Sequence, residues 1–248
     1  FGRVTPEQKK SLVEGLQAKG HKVAMTGDGV NDILALKTAD CSIAMESGND
    51  ATKKMAQVVL LDSDFGKMPS IVAEGRRVVN NIQRSASLFL IKNIFSILLA
   101  ISVTLLAFTY PIMPSQMSLI SGFTIGIPGF FLALEPNSER IKGRFIETVF
   151  KNALPAALTD FILIFSLVLL SSVLGMKSEE LSTAAICLMA FVGFTIIYQE
   201  SQPLNHYKRV VLLGNILAFL ISSSILGKFF NMSPLRLQTL VICAIMAV

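Results

Sequence analysis

The sequence predicts a soluble α/β unit followed by an all-α membrane part of six helices. The chain is 52% hydrophobic and has a mean hydropathy of +0.60, values too apolar for an ordinary soluble domain. Apolar runs long enough to cross a membrane begin only after about residue 85, as membrane helices require. The residues before them are charged and punctuated by glycine, which is typical of a soluble unit.

Short apolar runs alternate with helical patterns in the first third of the chain. A helix over residues 7–19 carries Val13 and Leu16 on one face and ends before Gly20. Strands are predicted at 23–25, 42–45 and 58–61, and further helices at 31–38 and 51–56. This alternation indicates a parallel sheet.

A helical pattern that begins at Met68 continues without a clear end into the apolar residues 88–110. Five more apolar segments follow, at 112–134, 153–174, 181–198, 210–226 and 235–248. The predicted organisation is a soluble part over 1–67, a stalk helix over 68–87 and a membrane part over 88–248, whose last span is truncated. The chain opens without Met and closes inside an apolar run, so we expect a segment of a longer protein.

Loop charges predict the orientation of these helices. The loop at 110–114 is uncharged, whereas the connection after residue 134 carries four basic residues: Arg140, Lys142, Arg144 and Lys151. Because basic loops stay on the cytoplasmic side, the soluble part is predicted to be cytoplasmic. The net charge of +5 is explained by these helix ends, and no basic patch with interleaved aromatic residues indicates a nucleic-acid partner.

The most specific motif lies at residues 26–32, Thr-Gly-Asp-Gly-Val-Asn-Asp, between a predicted strand and a predicted helix. Gly27 and Gly29 let the backbone bend sharply and approach a ligand. Asp28 and Asp32 supply hard oxygen donors that suit Mg²⁺ with its waters and a phosphate. Asn31 can hydrogen-bond a phosphoryl oxygen without adding charge. The motif predicts a Mg²⁺–phosphoryl site, although carboxylates also occur as simple caps before a helix.

This motif resembles the hinge motif of P-type ATPases, the ion and lipid pumps that form an aspartyl-phosphate. Residues 3–9, Arg-Val-Thr-Pro-Glu-Gln-Lys, resemble the segment that carries the phosphate-contacting lysine of that family, and similarity continues at 39–45 and 74–81. The resemblance implies a haloacid-dehalogenase-like phosphorylation domain, of which this chain holds the C-terminal half. It also implies roles for Lys9, Asp28, Asn31 and Asp32 in phosphoryl transfer, with Thr26, Gly27 and Gly29 lining the site.

The same resemblance implies ATP as substrate, Mg²⁺ as cofactor, and Asp28 and Asp32 as the residues that hold the metal. The Asp-Lys-Thr-Gly motif that carries the phosphorylated aspartate does not occur in this sequence. We therefore expect the segment to be inactive alone. Its partners would be the bilayer, the transported cation and the rest of the same polypeptide, which supplies the actuator domain, the nucleotide-binding domain and the first spans.

Polar residues inside apolar segments are candidates for the transport site. Asn93 and Ser96 share one face of the first span, and Ser121 and Thr124 share one face of the second. Residues 126–129, Gly-Ile-Pro-Gly, would loosen the helix there and free carbonyl groups. Asn93 and Thr124 match ligand positions of the family's calcium pumps. Ser96 and Ile125 stand where those pumps have acids, which implies a site of low charge.

Two charged residues complete the candidate transport site. Lys92 either snorkels to the interface, acts as an internal counter-charge, or meets an acidic headgroup, as a similar Lys-Asn pair of lipid flippases suggests. Asp160 is a candidate ligand, proton carrier, partner of Lys92 or helix cap.

The resemblance therefore implies ATP-driven cation transport, with Ca²⁺ favoured, in a bacterial plasma membrane. The alternatives are a lipid- or polyamine-transporting ATPase and a membrane-tethered phosphatase that transports nothing.

Overall fold

The structure is a computed structural model that describes residues 4–135, 137, 139–141 and 143–246. Arg3 of the segment 3–9 and Lys142 of the basic loop after residue 134 lie outside these described residues. The chain divides into two compact units, Phe1–Val72 and Ala73–Val248.

The first unit is a three-stranded parallel sheet with short helices, as the sequence predicts. Its strands lie in the order β1-β2-β3, with Ala24 opposite Cys41 and Ile43 opposite Val58. The elements are α1 (Pro6–Ala18), β1 (Ala24–Gly27), α2 (Ile33–Thr38), β2 (Cys41–Met45), α3 (Asp50–Met55) and β3 (Val58–Leu60). The predicted boundaries differ from these by one or two residues, because end residues of a helix or strand carry little periodic signal.

Capping fixes the start of α1. The Gln8 amide N–H donates to Thr5 Oγ1 at 3.3 Å, and the Thr5 N–H donates back to Gln8 Oε1 at 2.9 Å. This reciprocal box satisfies donors that the first turn leaves free, and Pro6 needs no partner for a missing N–H. The helix therefore begins at a defined residue, which places Lys9 one turn later.

The Asp40 carboxylate holds the entrance of β1. It accepts hydrogen bonds from the Val23 N–H at 3.0 Å, from Lys22 Nζ at 2.9 Å and from Gln17 Nε2 at 3.1 Å. These donors, the Val23 N–H first, hold the pKa of the Asp40 carboxyl well below its usual range. Through these partners Asp40 joins the end of α1 to the start of β1.

The second unit is helical. Its helices are α4 (Met68–Leu106, which begins in the first unit), α5 (Pro114–Ser121), α6 (Ile127–Leu134), α7 (Phe145–Val173), α8 (Ser178–Glu200), α9 (His206–Ile225) and α10 (Leu237–Met246). Among the described residues, five helical stretches are long and apolar enough to cross a membrane, with α5 and α6 counted as one stretch. The sixth predicted segment forms the ten-residue α10, which is shorter than a span. The α4 helix is continuous from Met68, as predicted.

The α8 helix lies at the centre of the membrane unit. In its most apolar 18-residue window 56% of the residues are buried, against 17–33% in the other four stretches. Ala184, Ala185 and Ile186 are fully buried, and they belong to a core that also contains Phe95 of α4 and Ile164 of α7. Small side chains on α8 allow neighbouring helices to approach closely, as in other membrane bundles.

The second predicted span is interrupted. A π-helical turn over Gly122–Gly126 separates α5 from α6, at the position where the sequence predicts a loosened helix. Pro128 lacks an N–H and cannot complete the helical ladder. The Asn215 side-chain amide of α9 instead donates to the Phe123 carbonyl.

One helix begins earlier than predicted. The α7 helix starts at Phe145 rather than near residue 153. Its first two turns contain Glu147 and Lys151, which pair at 2.9 Å. Hydropathy finds only the apolar part of such a helix, so it misses the polar turns that precede it.

Candidate phosphoryl and membrane sites

The first candidate site lies at the carboxyl end of β1. Asp28 follows the last residue of the strand, and Asp32 ends a short 3₁₀ turn over Val30–Asp32 that leads into α2. Parallel sheets bind ligands at the carboxyl ends of their strands. The Asp28 carbonyl accepts the Asn49 N–H at 2.8 Å, which ties this turn to the loop after β2.

Lys9 and Asp32 form the closest charge contact of the site. Lys9 Nζ lies 2.6 Å from Asp32 Oδ1, and the two side chains are 31% and 10% exposed. The Gly29 N–H donates to the other carboxylate oxygen at 3.4 Å. Asp32 is therefore committed to positioning the lysine and the turn. The structure brings together residues that lie 23 positions apart in the chain.

Glycine is required at two places around this turn. A Cβ atom on Gly27 would lie 2.5 Å from Asp32 Cβ, and one on Gly48 would lie 2.6 Å from the Asp28 carbonyl oxygen. Gly29 has an ordinary φ of −117° and no atom within 4 Å of its Cβ position, so packing alone does not require it. The sequence argument found Gly27 and missed Gly48, whose only signal is the turn after β2.

The remaining predicted residues of the site have different environments. Asp28 and Asn31 are exposed, and Thr26 is half-buried in β1 opposite Ile43. Three side chains, those of Lys9, Asp28 and Asn31, thus remain accessible to a ligand.

The donor set at this turn fits Mg²⁺ in its usual manner. Asp28 offers a solvent-accessible carboxylate, whereas Asp32 is engaged by Lys9 and the turn. Among the described residues no group of three or more His, Cys, Asp or Glu side chains forms a metal site. Mg²⁺ commonly binds through one or two carboxylates, with waters and phosphate oxygens as its other ligands. Asp28 would hold the ion directly, and Asp32 would orient the groups around it.

The second candidate site is a small cavity inside the membrane unit. Its volume is about 30 Å³, and four of the predicted polar residues line it: Lys92, Ser121, Thr124 and Asp160. They come from α4, α5, the π-helical turn and α7. A cavity of this size holds about one water molecule or one small ion.

Asp160 is the carboxylate of this cavity. It is 5% exposed, and its Oδ1 atom has no hydrogen-bond partner among the described residues. By contrast, the hydroxyl groups of Thr124 and Ser121 each donate to a carbonyl one turn earlier, at 2.7 Å. Their oxygen atoms keep acceptor capacity towards the cavity. A buried polar atom without a partner is uncommon and indicates a functional or hydrated site.

Asn93 and Ser96 do not line this cavity. Asn93 is exposed on α4, and Ser96 is half-buried. Sequence spacing placed them on one face of the helix, but of the predicted polar residues on α4 it is Lys92 that lines the cavity.

Two residues around Thr124 were missed by the sequence argument. A Cβ atom on Gly193 of α8 would lie 2.5 Å from Thr124 Cγ2. The Thr124 side chain can therefore pack against α8 only because residue 193 is glycine. Asn215 of α9 is 4% exposed and holds the Phe123 carbonyl of the π-helical turn. A glycine and an asparagine inside apolar helices were the available signals.

Comparison with known proteins identifies the class to which these sites belong. Residues 8–66 match the family described as haloacid dehalogenase-like hydrolase. The chain is 38% identical over 254 residues to the calcium-transporting ATPase CtpE of Mycolicibacterium smegmatis, covering 96% of this chain and 32% of that protein. It is also 38% identical over 256 residues to the "probable cation-transporting ATPase exp7" of Streptococcus pneumoniae, covering 99% and 33%.

The chain belongs to the P-type ATPases. Within that family it is similar to bacterial proteins named as calcium- or cation-transporting ATPases, including CtpE of Mycobacterium bovis at 39% identity over 240 residues, covering 91% of this chain and 30% of that protein. It spans about a third of the length of these relatives. With five helical stretches of span length, it is an integral membrane protein.

Proposed function

We propose that the protein transports a cation, with Ca²⁺ favoured, and drives this transport by ATP through an aspartyl-phosphate intermediate. The observation that carries the proposal is the Lys9–Asp32 contact of 2.6 Å beside the accessible Asp28 carboxylate. A purely structural membrane subunit would not need the Gly-Asp-Gly turn that holds these residues. Loop charges support a cytoplasmic position for the soluble unit in a bacterial plasma membrane.

The residues of the first site divide the work of phosphoryl transfer. Lys9 donates one N–H to Asp32, which leaves two N–H groups for the oxygens of the transferring group. Asn31 adds a neutral donor. Mg²⁺, when bound, neutralises phosphoryl charge as a Lewis acid. Positioning and electrostatic stabilisation account for most of the catalysis in reactions of this kind.

The membrane cavity supports a cargo that binds with few charges. Ser121, Thr124 and Asp160 provide oxygen atoms around it, and Lys92 lies on the same cavity wall. Hard oxygen donors suit Ca²⁺, but affinity falls as carboxylates are removed. We propose a single cation bound here by Ser121, Thr124 and Asp160; Asn93 and Ser96, which do not line the cavity, are not among its ligands in this proposal. The calcium-transporting relatives support the same cargo.

The phosphoryl site is tested in the full-length protein by Asp28→Asn. The variant should lose Mg²⁺-dependent phosphoenzyme formation and keep its fold, because it removes one accessible charge. Asp50→Asn is the matched control, since the Asp50 side chain is 84% exposed and, among the described residues, pairs with Lys53 of its own helix alone. Normal phosphoenzyme levels in Asp28→Asn would contradict the proposed site.

The cargo is tested by ATP turnover of the purified full-length protein with Ca²⁺, Mn²⁺, K⁺, polyamines or phospholipids at constant Mg²⁺. Stimulation by Ca²⁺, with Thr124→Val raising the Ca²⁺ concentration needed for half-maximal turnover, would support the proposal. Stimulation by a polyamine or a lipid alone would favour the second candidate. The presence of Lys92 in the cavity is the observation that supports that candidate. Phosphatase activity that responds to none of these cargoes would favour the membrane-tethered phosphatase.

A further inference from the structure

The carboxyl end of α6 is held by side chains of two other helices. The last carbonyl groups of a helix have no partner within the helix. In α6, the carbonyls of Phe131, Leu132 and Ala133 each accept a hydrogen bond from a side chain. We call the α4 side chains that hold this end and the connection after it the carbonyl clamp: Asn80, Asn81 and Arg84.

The clamp makes several directed contacts. Asn81 Nδ2 donates to the Ala133 carbonyl at 3.0 Å, and Arg84 Nη1 donates to the Leu132 carbonyl at 3.4 Å. Asn80 Nδ2 donates to the Asn137 and Glu139 carbonyls, both at 3.1 Å. Asn80 and Asn81 lie in the 74–81 segment, for which the proposed function gives no role.

The environment of the Asn81 side chain is not the one that would give the highest stability. Its Oδ1 atom is buried and has no hydrogen-bond partner among the described residues. Leaving an acceptor unsatisfied is unfavourable, so the amide is retained for the bonds that its N–H₂ group makes. A helix-packing role would be met as well by an apolar side chain at this position.

The helix that the clamp holds, α6, is short and directly follows a segment with irregular helical hydrogen bonding. The α6 helix has eight residues, and the π-helical turn over Gly122–Gly126 precedes it directly. Single π-helical turns occur often at functional sites, and small helix shifts are absorbed where the ladder is irregular. Thr124 of the membrane cavity lies inside this turn. A displacement of the α6 end would therefore change the position of Thr124.

We infer that the carbonyl clamp makes α6 follow the movements of α4, so that Asn81 and Arg84 position the π-helical turn and its Thr124. This inference rests on the proposed function, because α4 moves only if phosphorylation drives it. Asn81 and Arg84 are positioning residues, since they touch neither the cavity nor the phosphoryl site.

Tyr207 of α9 provides a matched control at the same helix end. Its hydroxyl donates to the Phe131 carbonyl at 2.8 Å. Tyr207→Phe removes one bond to α6, as Asn81→Ala does, but from a helix outside the clamp. A merely structural role predicts equal effects of the two changes, whereas positioning by α4 predicts that only the clamp variant uncouples the turn.

The experiment uses the full-length protein with a cysteine in place of Gly126 and no other reactive cysteine. A Cβ atom at Gly126 meets only the Ser121 carbonyl oxygen, at an ordinary 3.7 Å. The rate of thiol labelling is measured with and without Mg²⁺ and beryllium fluoride, a phosphate analogue. Phosphoenzyme formation from ATP is measured in the same samples.

We expect beryllium fluoride to change the labelling rate in the parent and in Tyr207→Phe. The double variant Asn81→Ala with Arg84→Gln should lose this response and still form phosphoenzyme, and Asn81→Gln, which keeps an amide donor, should retain part of it. A full labelling response in the double variant, or an equal loss of response in Tyr207→Phe, would overturn the inference about the carbonyl clamp. Either result would leave the proposed function intact. Absence of phosphoenzyme in the parent would overturn the proposed function and, with it, this inference.

Discussion

The phosphoryl site and the membrane cavity use similar side chains in opposite ways. Each contains a lysine, a buried carboxylate and neutral oxygen donors. At the strand end, Lys9 contacts Asp32 at 2.6 Å and Asp28 remains open to solvent. In the membrane, Lys92 and Asp160 share a cavity of about 30 Å³ without a direct ion pair among the described residues.

This difference shows how each environment handles charge. Near solvent, forming the Lys9–Asp32 ion pair costs little desolvation free energy. The Asp28 carboxylate, which is outside this pair, can bind a metal. Inside the membrane unit an unpaired charge is unfavourable, yet Asp160 Oδ1 has no hydrogen-bond partner among the described residues and Lys92 is only half-buried. This contrast is what the proposed function uses: a multiply charged phosphate with Mg²⁺ at the first site and a cargo of low charge at the second.

The largest effect is expected at the strand-end site. Lys9→Met in the full-length protein should lower the rate of phosphoenzyme formation by about 100-fold, the usual effect of removing one preorganised electrostatic group. Lys10→Met is the control, because Lys10 pairs with Glu14 on the exposed side of α1. Phosphorylation kinetics with labelled ATP measure both, and equal rates in the two variants would place Lys9 outside the chemistry.

The second prediction tests charge compensation in the cavity. If Asp160 compensates the half-buried Lys92 across the cavity, Asp160→Asn should lower the stability of the full-length protein by about 1 kcal/mol, because the two groups form no direct ion pair among the described residues. The double change Asp160→Asn with Lys92→Met should recover much of this loss, which a thermal-shift assay in detergent can detect. The exposed pair Glu147–Lys151 is the control for single charge removal. If Lys92 snorkels to the interface, the double variant will show no recovery.

The third prediction compares the two glycines that admit site residues. Gly193→Ala and Gly27→Ala each place a Cβ atom 2.5 Å from a site side chain, that of Thr124 or Asp32. Each should destabilise its unit by about 2 kcal/mol through overpacking. Gly27→Ala should impair phosphorylation, whereas Gly193→Ala should alter the cargo response.

The control for both glycine changes is Gly214→Ala. Gly214 lies in α9 with no atom within 4 Å of its Cβ position. Alanine is tolerated or favoured there, because glycine lowers helix stability. A loss of function in Gly214→Ala equal to that in Gly193→Ala would show that the contact with Thr124 is not the cause.

The smallest effect concerns pH and the first unit. The lowered pKa of Asp40 means that its ionised form stabilises the fold above the pKa of the unfolded chain, about 3.9. This contribution is lost as pH falls towards the lower, folded-state pKa. In Asp40→Asn, stability should therefore change less between neutral and strongly acid pH, as followed by hydrogen–deuterium exchange of the β1 amides corrected for the intrinsic exchange rate at each pH. An unchanged pH profile would mean that Asp40 is not linked to folding.

The sequence by itself determined the strand-end turn. Asp28, Asn31 and Asp32 lie within five positions of one another, and a strand, a turn and a helix start bring them together through local geometry. The parallel sheet, the capped α1 and the continuous α4 follow from short-range patterns in the same way. Lys9 is more distant, but its motif and the start of α1 limit where it can lie.

Only the tertiary structure decided which polar membrane residues meet. Helical spacing grouped Asn93 with Ser96, yet Asp160 and Lys92, 68 positions apart in the sequence, are the residues that share the cavity with Thr124. The contacts of Gly48, Gly193 and Asn215, and the carbonyl clamp on α6, likewise join elements far apart in the chain. Periodicity specifies the faces of one helix, but the face that meets a partner depends on the packing of all the helices.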